Sequence, residues 1–182
     1  MNDSVTIAVD AMGGDAGLLT TVPAAVTLLT RLPSLRVFLV GDEKKIVEQC
    51  NLYSSICDQI TNLRSSGRLK ILHAGEVIGM DESPSIALRT KTDSSLRVAV
   101  QLVKDGLADA CVSAGNTGAL MAISRFVLKT CETIDRPAII SALPTANGQS
   151  YMLDLGANVD CHSEQLYQFA LMGNVLVREL RD

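Results

Sequence analysis

The stretch C-V-S-A-G-N-T-G-A-L-M-A, residues 111–122, decides the fold. Ala110, Cys111 and Val112 read as the end of a buried strand, and Leu120, Ile123 and Val127 then recur at helical spacing. Between them Ser113, Ala114, Gly115, Asn116, Thr117 and Gly118 carry no bulky side chain. Such a turn lets a ligand approach the backbone, and the helix after it presents amides without helical partners. Helix N-termini attract anions, phosphate above all. The same residues also suit a plain strand-to-helix turn capped by Asn116 or Thr117.

Outward from this turn the chain alternates between strand and helix patterns. Val5 to Val9 is an apolar strand, followed by the turn D-A-M-G-G-D. A helix is expected from about Val22, with Pro23 in its first turn and Ala25, Leu28 and Leu29 on its apolar face. Arg36 to Val40 is the next strand, and Asp42 is placed to cap the helix carrying Ile46, Val47 and Cys50. Leu69 to Leu72 is a third strand. Asp93 is expected to cap a helix with Leu96, Ala99, Val100 and Val103 on one face, ended by Gly106. After the strand at Ala108 to Ser113 and its helix, two strand-like runs, P-A-I-I-S-A-L and S-Y-M-L-D-L, precede a last helix from about Ser163. No repeat, low-complexity tract or clear linker is visible.

This alternation implies an α/β fold, a doubly wound, predominantly parallel sheet with helices on both faces. Ligands of such sheets bind beyond the carboxyl ends of the strands. Four small, polar turns are expected there: Asp10 to Asp15, Gly41-Asp42, Ser113 to Gly118, and Leu155-Gly156-Ala157-Asn158. Their grouping on one rim points to a built site.

Composition sets the limits. Hydrophobic residues are 47% of the 182, aromatics only 3%, and Trp is absent, so the core is built from Val, Leu, Ile and Ala. No apolar run reaches the ~18 residues of a membrane span, and the N-terminus has no signal-peptide pattern, so a soluble cytoplasmic protein is expected. A net charge of −4 argues against nonspecific nucleic-acid binding. One segment, I-A-L-R-T-K-T-D-S-S-L-R, is locally basic through Arg89, Lys91 and Arg97; it reads as a solvated helix surface or as an anion-facing rim. The five cysteines form no C-x-x-C pair. Cys161 and His162 are neighbours at a helix start and point about 100° apart, which disfavours a nucleophile–base pair. His73 reads as structural, and two distant histidines make no zinc site. Asp10, Asp15, Asp154 and Asp160 suit Mg²⁺ or, more simply, helix capping. The glycines match neither G-x-G-x-x-G nor G-x-x-x-x-G-K-[ST], so the loops suit a small anion rather than a nucleotide.

Six blocks then carry a resemblance: V-D-A-M-G-G-D at 9–15, S-P-S-I-A-L-R at 83–89, S-S-L-R-V-A-V at 94–100, V-S-A-G-N-T-G-A-L at 112–120, R-P-A at 136–138 and L-D-L-G-A-N-V-D-C at 153–161. In this order they resemble the PlsX family, the bacterial phosphate acyltransferases of phospholipid synthesis. The resemblance implies transfer of a fatty acyl group from acyl carrier protein to inorganic phosphate, giving acyl phosphate. It implies a homodimer without metal or cofactor, with a fold similar to the phosphotransacetylases and the isocitrate dehydrogenase class. A membrane-bound glycerol-phosphate acyltransferase would act downstream. Family chains are longer, so residues 1–182 are expected to be the N-terminal portion; the C-terminal half, absent here, is expected to carry dimer contacts and any peripheral membrane contact.

The expected site follows. Asn116 and Asn158 are the catalytic candidates. Ser113, Gly115 and Thr117 would cradle phosphate or the developing oxyanion beside Gly13, Gly14 and Asp15, with Gly156 and Ala157 as a neighbouring wall. Arg89, Lys91 and Arg97 would meet phosphate or the acidic carrier protein, whose net charge would otherwise repel an acidic enzyme. The alternatives are a truncated, non-catalytic phosphate- or carrier-binding module, and a Mg²⁺-dependent dehydrogenase or decarboxylase on the related fold.

Overall fold

The computed structural model describes residues 4–52, 57–156, 158 and 160–180. They fall into two compact units, Met1–Leu128 and Lys129–Asp182.

The first unit is built on four parallel strands, β1 (Val5–Asp10), β2 (Leu35–Gly41), β3 (Leu69–His73) and β4 (Ala110–Val112), in the order β3-β2-β1-β4. Its helices are α1 (Leu18–Arg31), α2 (Glu43–Leu52), α3 (Cys57–Ser65), α4 (Pro84–Thr90), α5 (Ser95–Lys104) and α6 (Thr117–Leu128). The two-residue period of the strands sorts their side chains onto two faces. Ile7, Val9, Val37, Leu39, Leu69 and Ile71 pack with Val22, Val26 and Leu29 of α1 and Ile46 of α2. Ala8, Phe38, Val40 and Leu72 pack with Ala99 and Leu102 of α5. A third cluster joins Leu96 and Val100 of α5 to Ala119, Ile123 and Val127 of α6. Helices on both faces explain why the strands read as near-continuous apolar runs. The doubly wound α/β class expected from the alternation is the class observed.

The strand order positions the site. From β1 the chain steps outward to β2 and β3, then returns to the other side of β1 with β4. The order therefore reverses between β1 and β4, and a crevice opens beyond their carboxyl ends. Residues 11–17 follow β1 and residues 113–116 follow β4, so both turns lie at this switch point.

Several local expectations are corrected. Helix α1 starts one turn earlier, at Leu18, with Pro23 in its interior. Its start is set by Gly17 at φ 46° and by the Thr21 hydroxyl, which donates to the Ala11 carbonyl at 2.9 Å. Helix α3 was not foreseen, and α4 was foreseen only as the helix-surface reading of the basic segment. Ser94, not Asp93, caps α5, its Oγ accepting from the Arg97 amide. Asp93 instead accepts from the Gly75 amide at 2.8 Å and so ties down the chain after β3.

The second unit contains a hairpin of β5 (Ile140–Thr145) and β6 (Gly148–Leu153), antiparallel, and helix α7 (Ser163–Glu179). Thr145 pairs with Gly148, a connection too short for anything but antiparallel strands. These two runs therefore form a sheet of their own, and Leu155-Gly156 follows a strand of that hairpin rather than a strand of the parallel sheet, contrary to expectation. Gly173 of α7 lets Leu153 come close; a Cβ there would lie 2.8 Å from the leucine Cδ1. The boundary between the units also went unforeseen. Lys129, at φ 66°, takes the left-handed position after α6 that glycine usually fills.

Leu39 sits at the centre of the sheet with no exposed surface. Leu39→Ala is expected to cost about 3 kcal/mol of stability through lost burial and a residual cavity. A urea unfolding midpoint equal to wild type would contradict this placement of the core.

Candidate functional site at the strand-order switch

The switch point is held together from below. Strand β1 ends at Asp10, only 3% exposed, and the residue after β4 is Ser113. The Ser113 hydroxyl donates to Asp10 Oδ2 at 2.7 Å, and Ser113 Oγ accepts the Gly115 amide at 3.0 Å. The Met12 amide donates to Asp10 Oδ1 at 3.3 Å. Over this post the two turns touch backbone to backbone. A Cβ on Gly13 would stand 2.6 Å from Asp10 Oδ2 and 2.9 Å from the Gly115 nitrogen. Gly14, at φ 86°, approaches the Ala114 backbone. The small residues quoted at the outset are thus required by turn-on-turn contact, before any ligand is considered.

Asn116 has another task. It is 8% exposed, and its Oδ1 accepts the Ala119 amide at 2.9 Å, capping α6. Its Nδ2 donates to the carbonyls of Gly79, Met80 and Glu82 at 3.2, 2.9 and 2.9 Å. Both N–H groups of the side chain are thus engaged within the fold, and its oxygen holds the helix start. With Ala119 capped and the Leu120 amide bonded to the Asn116 carbonyl, Thr117 and Gly118 carry the first-turn amides without a partner among the described residues. Both residues are exposed. Gly118 also packs on the start of α4, where its Cβ would lie 2.7 Å from Pro84 Cγ.

The basic segment divides. Lys91 Nζ bonds Glu82 Oε2 at 2.7 Å and the Val77 carbonyl, closing a strap over residues 77–82 that Asn116 holds from the other side. Arg97 donates to the Leu88 carbonyl at 3.0 Å and stacks 5.4 Å from the Phe126 ring centroid. Lys91 therefore does not present a free cation, and Arg97, half-buried and without an ion partner among the described residues, presents one only in part. Arg89 presents one: it is exposed, with only Nε engaged, on the Ser85 carbonyl. Asp15 is exposed in the first turn. A cavity of about 310 Å³ beside the end of β3, lined by Leu72, His73, Arg97, Gln101 and Asp105 among others, includes none of the residues of the two turns. Among the described residues no group of three His, Cys, Asp or Glu could hold a metal ion, and no helix is long and apolar enough to cross a membrane.

In the second unit Asp154, at φ 63°, gathers the polar side chains. Its Oδ1 accepts from Asn158 Nδ2 at 2.7 Å and its Oδ2 from the Cys161 thiol at 3.2 Å. The hydrogen bond to Asp154 pushes the Cys161 thiol above its ordinary range, which keeps it protonated and unsuited to attack. His162 caps α7 instead of pairing with it. Gly156, at φ 78°, turns the chain and bonds the Asp154 carbonyl. Ala157 lies outside the described residues.

Comparison with known proteins places the chain in a family. The profile of a family described as fatty acid synthesis protein matches residues 5–182. The chain belongs to that family. It is 56% identical to a phosphate acyltransferase of Francisella philomiragia over 93% of this chain and 50% of that protein. It is 57% identical to a phosphate acyltransferase of Methylococcus capsulatus over 97% of this chain and 50% of that protein. The chain thus spans about half the length of the curated relatives it matches.

For a member of this family, the residues that sequence reasoning undervalued are Asp10, weighed only as a metal ligand or cap, and Glu82. A hydrophobic strand ending in Asp at a switch point was the available signal for the first. No local pattern announces the second, whose partners are Lys91 and the Gly79 amide.

The hydrogen bond from Lys91, then that from the Gly79 amide, holds the Glu82 carboxyl below its ordinary range. A depressed carboxylate stabilises the fold above its unfolded pKa and loses that contribution as pH falls through the folded value. The Gly79 amide resonance is therefore expected to keep its native position through the ordinary glutamate range, about 4.3, and to move only at lower pH. In Lys91→Ala the movement should shift up towards that range. A wild-type transition already centred there would contradict the strap.

Proposed function

We propose that this chain carries the phosphate-binding part of a phosphate acyltransferase. On this reading it is the N-terminal portion of an enzyme that moves a fatty acyl group from acyl carrier protein to inorganic phosphate. The observation that carries the reading is the pair of unpartnered amides, Thr117 and Gly118, at the start of α6 and at the sheet's switch point. A helix start of this kind favours an anion through both its amides and its dipole. The names of the relatives supply the anion and the reaction class.

The chemistry then needs little from the protein beyond placement and charge stabilisation. A phosphate oxygen attacks the thioester carbonyl carbon, and the carbonyl oxygen takes up negative charge. Collapse of the tetrahedral intermediate breaks the carbon–sulfur bond. The proton that hydrogen phosphate brings passes to the departing sulfur, so acyl phosphate and free thiol result. The first-turn amides hold phosphate or the oxyanion, and Asn116 keeps them aimed by capping α6. Exposed Arg89 offers the local positive charge that an acidic carrier protein requires of a chain whose own net charge is −4. Homodimer contacts, a membrane-facing surface and hand-over to a membrane-bound glycerol-phosphate acyltransferase belong, on this reading, to the full-length enzyme.

The test is thiol release from an acyl carrier protein thioester, with and without phosphate. The key variant is Thr117→Pro, which deletes one first-turn amide at the helix position where proline is tolerated. The expected outcome is release that rises with phosphate and falls by about a hundredfold in Thr117→Pro at unchanged Tm. Release that ignores phosphate would overturn the reading. Phosphate binding without release, beside an active full-length relative, would assign the chain to the second reading, a non-catalytic binding module.

A further inference from the structure

Asp10 has no part in the reaction as drawn, yet it is a nearly fully buried carboxylate directly beneath the anion turn. A carboxylate only accepts hydrogen bonds, so the proton in the 2.7 Å contact with Ser113 comes from the serine. That fixes the hydroxyl rotor. With its proton committed to Asp10, Ser113 Oγ turns a lone pair to the Gly115 amide. The relay runs one way, from the Gly115 amide to Ser113 and from Ser113 to Asp10. Burying a carboxylate is costly unless donors surround it, and the Met12 amide supplies the other one.

We infer that Asp10 is a positioning residue for the anion turn, acting through Ser113. It draws the Met12, Ser113 and Gly115 donors inward and so leaves Thr117 and Gly118 as the amides that an anion meets. It touches neither the anion nor an acyl group. The inference rests on the reading of this turn as the phosphate site. It also revises the sequence-based role of Ser113, whose hydroxyl proton is not available to phosphate. Asparagine is a poor substitute at position 10 because it offers one acceptor and one donor group where aspartate offers two acceptors. With its oxygen towards Ser113, its NH₂ meets the Met12 amide donor to donor. Turned over, its NH₂ donates to Ser113 Oγ, which leaves the serine proton without its acceptor and the hydroxyl rotor unfixed.

The experiment titrates the isotopically labelled chain with inorganic phosphate as wild type, Asp10→Asn, Ser113→Ala and the double variant, following amide resonances. Each single variant is expected to weaken phosphate binding by about tenfold. The double should be no weaker than the poorer single, because both break one relay. Hydrogen exchange at the Gly115 amide should quicken in both singles while the core amides of Leu39 and Ile123 exchange as in wild type. A Kd for Asp10→Asn within about twofold of wild type, or single effects that multiply in the double, would overturn the inference. Should Asp10→Asn unfold the chain, Ser113→Ala decides, since it cuts the same relay at a half-buried position. A wild type that never responds to phosphate would remove the phosphate reading itself. Gly115 exchange then still separates the two: unchanged exchange in Asp10→Asn would show that Asp10 does not hold the turn, and faster exchange that it does.

Discussion

Two turns that are more than a hundred residues apart in sequence are pressed together with only hydrogen between them, at Gly13 against Gly115. Everything near the switch point depends on that approach. A side chain at position 13 would collide with Asp10 Oδ2 at 2.6 Å, and the relay from Gly115 through Ser113 to Asp10 would have no room to form. The parallel pairing of β1 with β4 brings the turns into register, and the buried carboxylate beneath them gives the contact its polar floor. The crevice owes its position to strand order and its shape to these glycines.

A second layer of order comes from Asn116 and Lys91. Between them they bind residues 77–82 across the start of α6, one through three carbonyls and the other through Glu82. The strap explains why a locally basic segment does not behave as a basic patch. Its lysine is ion-paired with Glu82, Arg97 is half-buried against Leu88 and Phe126, and Arg89 is the exposed one of the three. On the proposed reading the chemistry falls on backbone amides rather than on side chains, in keeping with a nucleophile that is already an anion.

The fold was legible because a parallel sheet covered on both faces writes itself as apolar runs separated by helical periods. The first strand, the caps at Asp42 and Asn116, and the stop at Gly106 all appear where those patterns put them. The errors have physical causes. Pro23 looks like a helix start, but a tertiary bond from Thr21 to Ala11 begins α1 a turn earlier. Asp93 looks like a cap, but it is taken by the Gly75 amide. The hairpin was announced by Asn147-Gly148, a turn signal that the regular alternation overshadowed. The meeting of the two turns at the switch point was readable from the sequence, and the contacts of their side chains were not. That Asn116 anchors a distant loop, or that Ser113 gives its proton to Asp10, depends on contacts between residues 34 to 103 positions apart, which no local pattern encodes.

The central claim is that an anion rests on the first turn of α6 at the switch point. It is tested most directly by soaking crystals of the chain with arsenate, a phosphate mimic that scatters anomalously. The account predicts a single strong anomalous peak within about 3 Å of the Thr117 and Gly118 nitrogens, the distance of a charged hydrogen bond. A peak elsewhere in the crystal, with those amides facing only water, would contradict it.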